Sequence, residues 1–124
     1  GHSGIDNQGI TQINPIGLYI SMNTKITKIN HMTNLEELNI SYTNLSNKAI
    51  SNLNLKKLSV ENNKNIDDVS HMSNLEYLNA SCSFVDNDGI RNLKNLIELH
   101  LFNNPFITEI SHMTNLRKLY AGYN

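Results

Sequence analysis

Cysteine occurs once in the chain, at Cys82, which excludes an intrachain disulfide framework. Long apolar runs are also missing: nothing approaches the roughly 18 residues of a membrane-spanning helix. Lys and Arg are spread out and the formal net charge is −1, so neither nucleic acid nor an anionic membrane is an expected partner. No signal-peptide pattern is present. The chain lacks a Gly-rich phosphate loop, an H-E-x-x-H helix and a G-x-S-x-G elbow. His, Asp, Glu and Ser lie on separate segments with no pairing at short offset. The expectation is no enzyme activity, no cofactor and no metal.

What is present is order in the apolar residues. They make up 39% of 124 residues, a modest share that still suffices for the core of one small domain because it falls in register. The stretch Leu35-Glu-Glu-Leu-Asn-Ile-Ser-Tyr-Thr-Asn-Leu45 has the skeleton L-x-x-L-x-I-x-x-T-x-L. It returns from Leu55, Leu75, Leu96 and Leu116, and in worn form from Pro15, at a step of about 20 or 21 residues. Stacked, a first column reads Pro15, Leu35, Leu55, Leu75, Leu96, Leu116, and a second Leu18, Leu38, Leu58, Leu78, Leu99, Leu119. A third reads Ile20, Ile40, Val60, Ala80, Leu101, Ala121. The alternation between the second and third columns has period 2, which predicts a short strand with one buried face. One such strand cannot bury that face alone, so the repeats must stack in parallel.

A fourth column is polar: Asn23, Thr43, Asn63, Ser83, Asn104, Asn124. After it the repeats alternate in kind. Three continue as Ile26-x-x-Ile29-x-x-Met32, Ile66-x-x-Val69-x-x-Met72 and Ile107-x-x-Ile110-x-x-Met113. Two continue as Leu45…Ile50-x-x-Leu53 and Val85…Ile90-x-x-Leu93, with room for a helical turn and Ser46 and Asp86 at the N-cap. Ile5-Asp-Asn-Gln-Gly-Ile10-x-x-Ile13 copies Val85-Asp-Asn-Asp-Gly-Ile90-x-x-Leu93, so the unit is a double repeat of about 40 residues. Gly1-His2-Ser3-Gly4 reads as a vector scar. Residues 5–124 form the repeat domain, with a partial repeat over 5–14 and full repeats starting at 15, 35, 55, 75, 96 and 116. Neither end shows a cap, as expected of a piece of a longer array. Asparagine fills about one position in six, well above average, which suggests biased composition beyond what the repeats need.

The skeleton and period resemble the leucine-rich-repeat proteins, and the short return segments resemble their internalin and phosphatase-regulator classes. The implied fold class is an α/β solenoid: a leucine-rich-repeat horseshoe with a parallel concave sheet of about six strands. The resemblance also implies that fourth-column side chains turn inward to satisfy backbone groups, and that partners dock on the concave face.

Three constellations bear on chemistry. His31, His71 and His112 share one column, but alternate repeats stand roughly 10 Å apart, too far for one zinc with ligands at about 2.0–2.1 Å. They read as turn residues of the repeat. Cys82 has Asn62 and Asn103 as cross-repeat neighbours, neither of which is a base. Aromatic side chains gather late in the chain, at Tyr77, His100, Phe102, Tyr120 and Tyr123, while Phe84 and Phe106 are expected to stack inward as a small spine. Alternating Glu36, Lys56, Glu76 and Glu37, Lys57 read as a solubilising charge ladder.

The expected function is a non-catalytic protein-protein recognition module, with Tyr77, Glu98, His100, Phe102 and Tyr120 as the partner-binding residues. Alternatives are the substrate-targeting arm of a larger enzyme or effector, such as a ubiquitin ligase, and a self-associating array stacking end to end. N-x-S/T sequons occur at Asn39, Asn44 and Asn79, and glycans at Asn39 and Asn79 would block the binding face. That points away from a eukaryotic secretory route and toward the cytoplasm or a host-cell cytosol.

Overall fold

The computed structural model describes residues 6, 7 and 16–122. Within them six three-residue strands, β1 (Gly17–Tyr19), β2 (Glu37–Asn39), β3 (Lys57–Ser59), β4 (Tyr77–Asn79), β5 (Glu98–His100) and β6 (Lys118–Tyr120), form one sheet. All neighbours pair in parallel and in sequence order, with Leu18, Leu38, Leu58, Leu78, Leu99 and Leu119 in one register row. This is the second column of the sequence, and from Leu38 to Leu99 it is 0–2% exposed.

The core follows the columns. Leu55, Leu75 and Leu96 of the first column and Ile40, Val60 and Ala80 of the third are fully buried. So are the return residues Ile29, Met32, Ile66, Val69 and Met72, and Ile50, Val85, Ile90 and Leu93. Each strand brings one leucine inward between two outward side chains, as period 2 requires. Burial of each such leucine is worth about 1.5–3 kcal/mol, and it is available only once a neighbouring repeat covers it.

At the end of each strand the chain turns inward through one residue in the left-handed region. These are Met22, Tyr42, Asn62, Cys82 and Asn103, with φ between 52° and 66°. The amide of the next residue bonds back to close a four-residue turn in three of them: Asn23 to the Ile20 carbonyl at 2.9 Å, Asn63 to Val60 at 3.0 Å and Asn104 to Leu101 at 3.2 Å. A positive φ at the third position is the mark of a type II turn. The turn is what delivers the polar fourth column into the interior. There, Asn23, Thr43, Asn63, Ser83 and Asn104 are all buried, as the resemblance implied.

The expected α/β horseshoe is not what forms. The described residues contain no helix of seven or more residues, and the solenoid is all-parallel β. The two return segments expected to be helical contain only 3₁₀ turns, Asn47–Ile50 and Asp88–Ile90. The reason is length. From Thr43 the chain must cross the full width of the repeat to reach Leu55. A 3₁₀ turn advances about 2.0 Å per residue against 1.5 Å for an α-helix. Horseshoe curvature arises when helices 8–10 Å apart sit outside strands 4.7–4.9 Å apart, and here no wide outer element forces the repeats to fan.

Of the two expected N-caps, Ser46 makes no side-chain capping bond. Asp86 stands one residue before the N-cap, which is Asn87, and its Oδ1 accepts the Gly89 amide at 2.8 Å. Phe84 and Phe106 do not form an inward spine. They meet edge to face at 5.6 Å on the outside, 48% and 45% exposed, with Lys64 Nζ 5.3 Å above the Phe84 ring. The interior beneath them is filled by Val85 and Ile107. Residues 1–4, the partial repeat apart from Asp6 and Asn7, Pro15, Tyr123 and Asn124 lie outside the described residues.

Candidate partner-binding face

The side chains between and beside the core leucines of β1–β6 point away from the core. They make two neighbouring regions on one sheet face.

The first region lies on β4–β6, where the late aromatic residues were expected to meet. The register aligns Tyr77 with Glu98 and Lys118, and Asn79 with His100 and Tyr120. The His100 ring stacks on Tyr120 at 4.5 Å between centroids and 16° between planes. Its other neighbour is the Tyr77 ring, tilted by 49° at 5.3 Å. His100 Nε2 lies 2.7 Å from Glu98 Oε2, which fixes the imidazole in the row. Phe102 stands apart from this stack. It is 46% exposed, and its ring rests on the backbone at Gly122, where an added Cβ would come within 2.6 Å. Four of the five expected residues are thus brought into one cluster, and the fifth flanks it.

The second region was not anticipated. A groove of about 430 Å³ runs over β1–β4, framed by Tyr19, Tyr42 and Tyr77 and including Glu37, Lys57, Asn79 and Glu61. Its floor is knitted by short polar contacts: Ser41 Oγ to Ser59 Oγ at 2.7 Å, and the Glu61 amide to Ser41 Oγ at 3.1 Å. The Tyr19 hydroxyl donates to Glu37, and that carboxylate pairs with Lys57 at 3.9 Å. The hydrogen bond to Glu37 raises the Tyr19 pKa above its ordinary value. Tyr77 closes one end, and its phenol is also held up, first by burial, then by the Glu98 and Glu61 carboxylates. A signal for the groove existed in the sequence, since Tyr19 stands in the row of His100 and Tyr120, while Tyr42 stands in the row of left-handed corner residues. Only the spacing of rings in three dimensions shows that they enclose space.

The other candidates turn out to be structural. His71 Nε2 lies 3.1 Å from the Ile50 carbonyl and His112 Nε2 lies 3.0 Å from the Ile90 carbonyl. Those carbonyls end the two 3₁₀ turns, and an orphan carbonyl at a helix end needs a donor. His71 and His112 thus each follow a repeat that carries a 3₁₀ turn. No group of His, Cys, Asp or Glu able to hold a metal is found among the described residues. Cys82 is half-buried and occupies the left-handed corner of its turn.

The asparagine excess has a structural cause beyond composition. Asn7, Asn47 and Asn87 form a column spaced by a double repeat, and each bonds forward into the next return segment. Asn47 Oδ1 accepts the Asp67 and Asp68 amides at 3.1 and 3.4 Å, and Asn87 Oδ1 accepts Thr108 and Glu109 at 2.9 and 3.1 Å. Asn7 does the same for Thr27 and Lys28 at 2.7 and 3.0 Å. Asn95 and Asn115 donate back to the Ser73 and Lys94 carbonyls at 3.0 and 3.2 Å. A primary amide carries a donor and an acceptor on one short stem, so it can bridge adjacent repeats where no strand ladder runs.

No protein-family model and no curated protein matches the chain. Solved structures do. An internalin (inlF) from Listeria monocytogenes is 31% identical, with a TM-score of 0.73, over 93% of this chain and 36% of that one. The functional domain of InlJ from the same organism, which includes a cysteine ladder, is 21% identical over 94% of this chain and 31% of that one, with a TM-score of 0.57. An internalin C2 (inlC2) is 23% identical over 92% and 74%, with a TM-score of 0.52. The chain therefore spans about a third of the length of the first two. These likenesses establish a leucine-rich, solenoid repeat architecture. They also overturn the expectation of a cytoplasmic or host-cell cytosolic setting, because internalins are bacterial surface or secreted proteins that act outside the cell.

Proposed function

We propose that this chain is a protein-recognition module that docks a protein partner on the solvent face of its parallel sheet, through Tyr77, Glu98, His100, Phe102 and Tyr120. The observation that carries the proposal is the Tyr77–His100–Tyr120 row. The His100 ring touches Tyr77 on one adjacent strand and Tyr120 on the other, outside the core, with Tyr120 still 41% exposed. Rigid aromatic side chains dominate interface energetics. Here they are already ordered by stacking and by the Glu98–His100 bond, so docking costs little further side-chain entropy. The likeness to the internalin inlF supports a binding role on such a scaffold.

The test is comparative. Wild type, His100→Ala and Phe102→Glu are immobilised, and binding of a captured partner is measured by biolayer interferometry, with circular dichroism to verify folding. Loss of binding in either folded variant is the expected result. Equal affinity in all three would remove these residues from the site.

A further inference from the structure

We infer that the groove over β1–β4 receives an arginine side chain of the partner, its guanidinium seated against Tyr77 and bonded to Glu61. The inference rests on the sheet-face reading above and supplies the chemistry of one contact within it.

The carboxylates of this face differ in how fully they are used. Glu37 has the Tyr19 hydroxyl and Lys57. Glu98 has His100 at 2.7 Å. Glu61 has only two long contacts, the Tyr42 hydroxyl at 3.5 Å and Asn79 Nδ2 at 3.4 Å. Among the described residues it joins no ion pair. Of the three charged residues lining the groove, Glu37 and Lys57 pair with each other, and Glu61 leaves the groove one negative charge in excess.

The shape agrees with the charge. A volume of about 430 Å³ falls within the range of small-molecule sites and exceeds the needs of one side chain. Tyr77 and the Glu61 carboxylate line the same groove, and that carboxylate is, after burial and Glu98, among the causes that hold the Tyr77 phenol above its ordinary pKa. An aromatic ring beside an open carboxylate suits a planar cation with several donors. Guanidinium can stack on the ring while two of its N–H groups reach the carboxylate. The compact, strongly hydrated ammonium of lysine does this less well.

The test uses the chain described here and a defined probe: an acetylated, amidated peptide of alternating serine and arginine, with citrulline and lysine versions. Each is titrated into ¹⁵N-labelled protein, and into Glu61→Gln and Glu109→Gln. The last removes the same charge from an exposed return segment. The arginine peptide is expected to shift amides of β2–β4 and to bind roughly tenfold more weakly to Glu61→Gln, the size of one lost charge-assisted contact. Glu109→Gln should bind as wild type, and the citrulline peptide should bind far more weakly. Equal weakening in both variants, or citrulline binding as well as arginine, would overturn the inference, and lysine binding as well as arginine would overturn the choice of guanidinium. The two readings fail separately. Should partner capture depend on His100 while Glu61→Gln has no effect on either peptide or partner, the arginine site falls and the recognition face stands. Should the peptides shift only amides away from the sheet, the arginine site falls, and partner binding by His100→Ala and Phe102→Glu alone decides the recognition face.

Discussion

Replacing Asn104 with leucine tests whether the inward polar column holds the repeats together. Asn104 is 5% exposed. Its Nδ2 donates to the Ala80 carbonyl at 2.9 Å and the Val85 carbonyl at 3.1 Å, and its Oδ1 accepts the Phe106 and Ile107 amides at 2.8 and 3.3 Å. Leucine has the same number and branching of side-chain heavy atoms, so the substitution removes hydrogen bonding without opening a cavity, and its bulkier methyl groups add some crowding to the cost. Not all four bonds count equally. The Ala80 carbonyl keeps the Ser83 hydroxyl at 2.7 Å, and the exposed Phe106 leaves its amide within reach of water. The Val85 carbonyl and the Ile107 amide are left buried without those partners. Each orphaned group costs about 1–3 kcal/mol, so the expected loss is about 2–6 kcal/mol. For a domain of this size the whole stability is of order 5–15 kcal/mol, and urea denaturation will read the loss as a large drop in midpoint. Asn104→Asp separates the two halves of the bonding: it retains the acceptor but sets a buried carboxylate oxygen against the Ala80 and Val85 carbonyls, so it should cost at least as much as leucine at neutral pH and less in acid, where the carboxyl is protonated. A loss below about 1 kcal/mol for Asn104→Leu would refute the claim that this column satisfies the turn.

Gly89 sits inside the second 3₁₀ turn, and a Cβ there would lie 2.0 Å from the Asp67 carbonyl oxygen. Gly89→Ala should therefore destabilise the domain by about 1–3 kcal/mol in thermal melts, and a neutral result would show that the return segment yields easily. Asp68 provides a pH prediction. Burial acts to raise its pKa, but bonds from the Ser70 hydroxyl and amide at 2.7 and 2.9 Å, with Arg91 and His71 nearby, hold it below the ordinary 3.8. A depressed folded pKa contributes stability above the unfolded value, which is lost as the pH falls through the folded one. Asp68→Asn should therefore flatten stability below about pH 4 in denaturation series, and an unchanged acid limb would refute the linkage.

The amino-acid sequence by itself determined the stack. Repeat length, the period-2 leucine and isoleucine columns and the recurring polar column specify six parallel strands and nearly every core residue, because one strand per repeat has no other way to bury its leucine. It also brought Tyr77, His100 and Tyr120 into one column set, so the aromatic row was legible before any coordinates. What it left open depended on distances between repeats. Whether Leu45–Leu53 and Val85–Leu93 curl into helices was decided by how far the chain must reach between fixed columns, and the answer was 3₁₀ turns and no horseshoe. The direction of Phe84 and Phe106 was decided by Val85 and Ile107, which already fill the interior beneath them. The role of His71 and His112 emerged only when the carbonyls of Ile50 and Ile90 were placed beside them from the preceding repeat. The groove at Glu61 is of the same kind: its residues are scattered over β1–β4 and acquire a shared volume and an unpaired charge only when the solenoid closes its register.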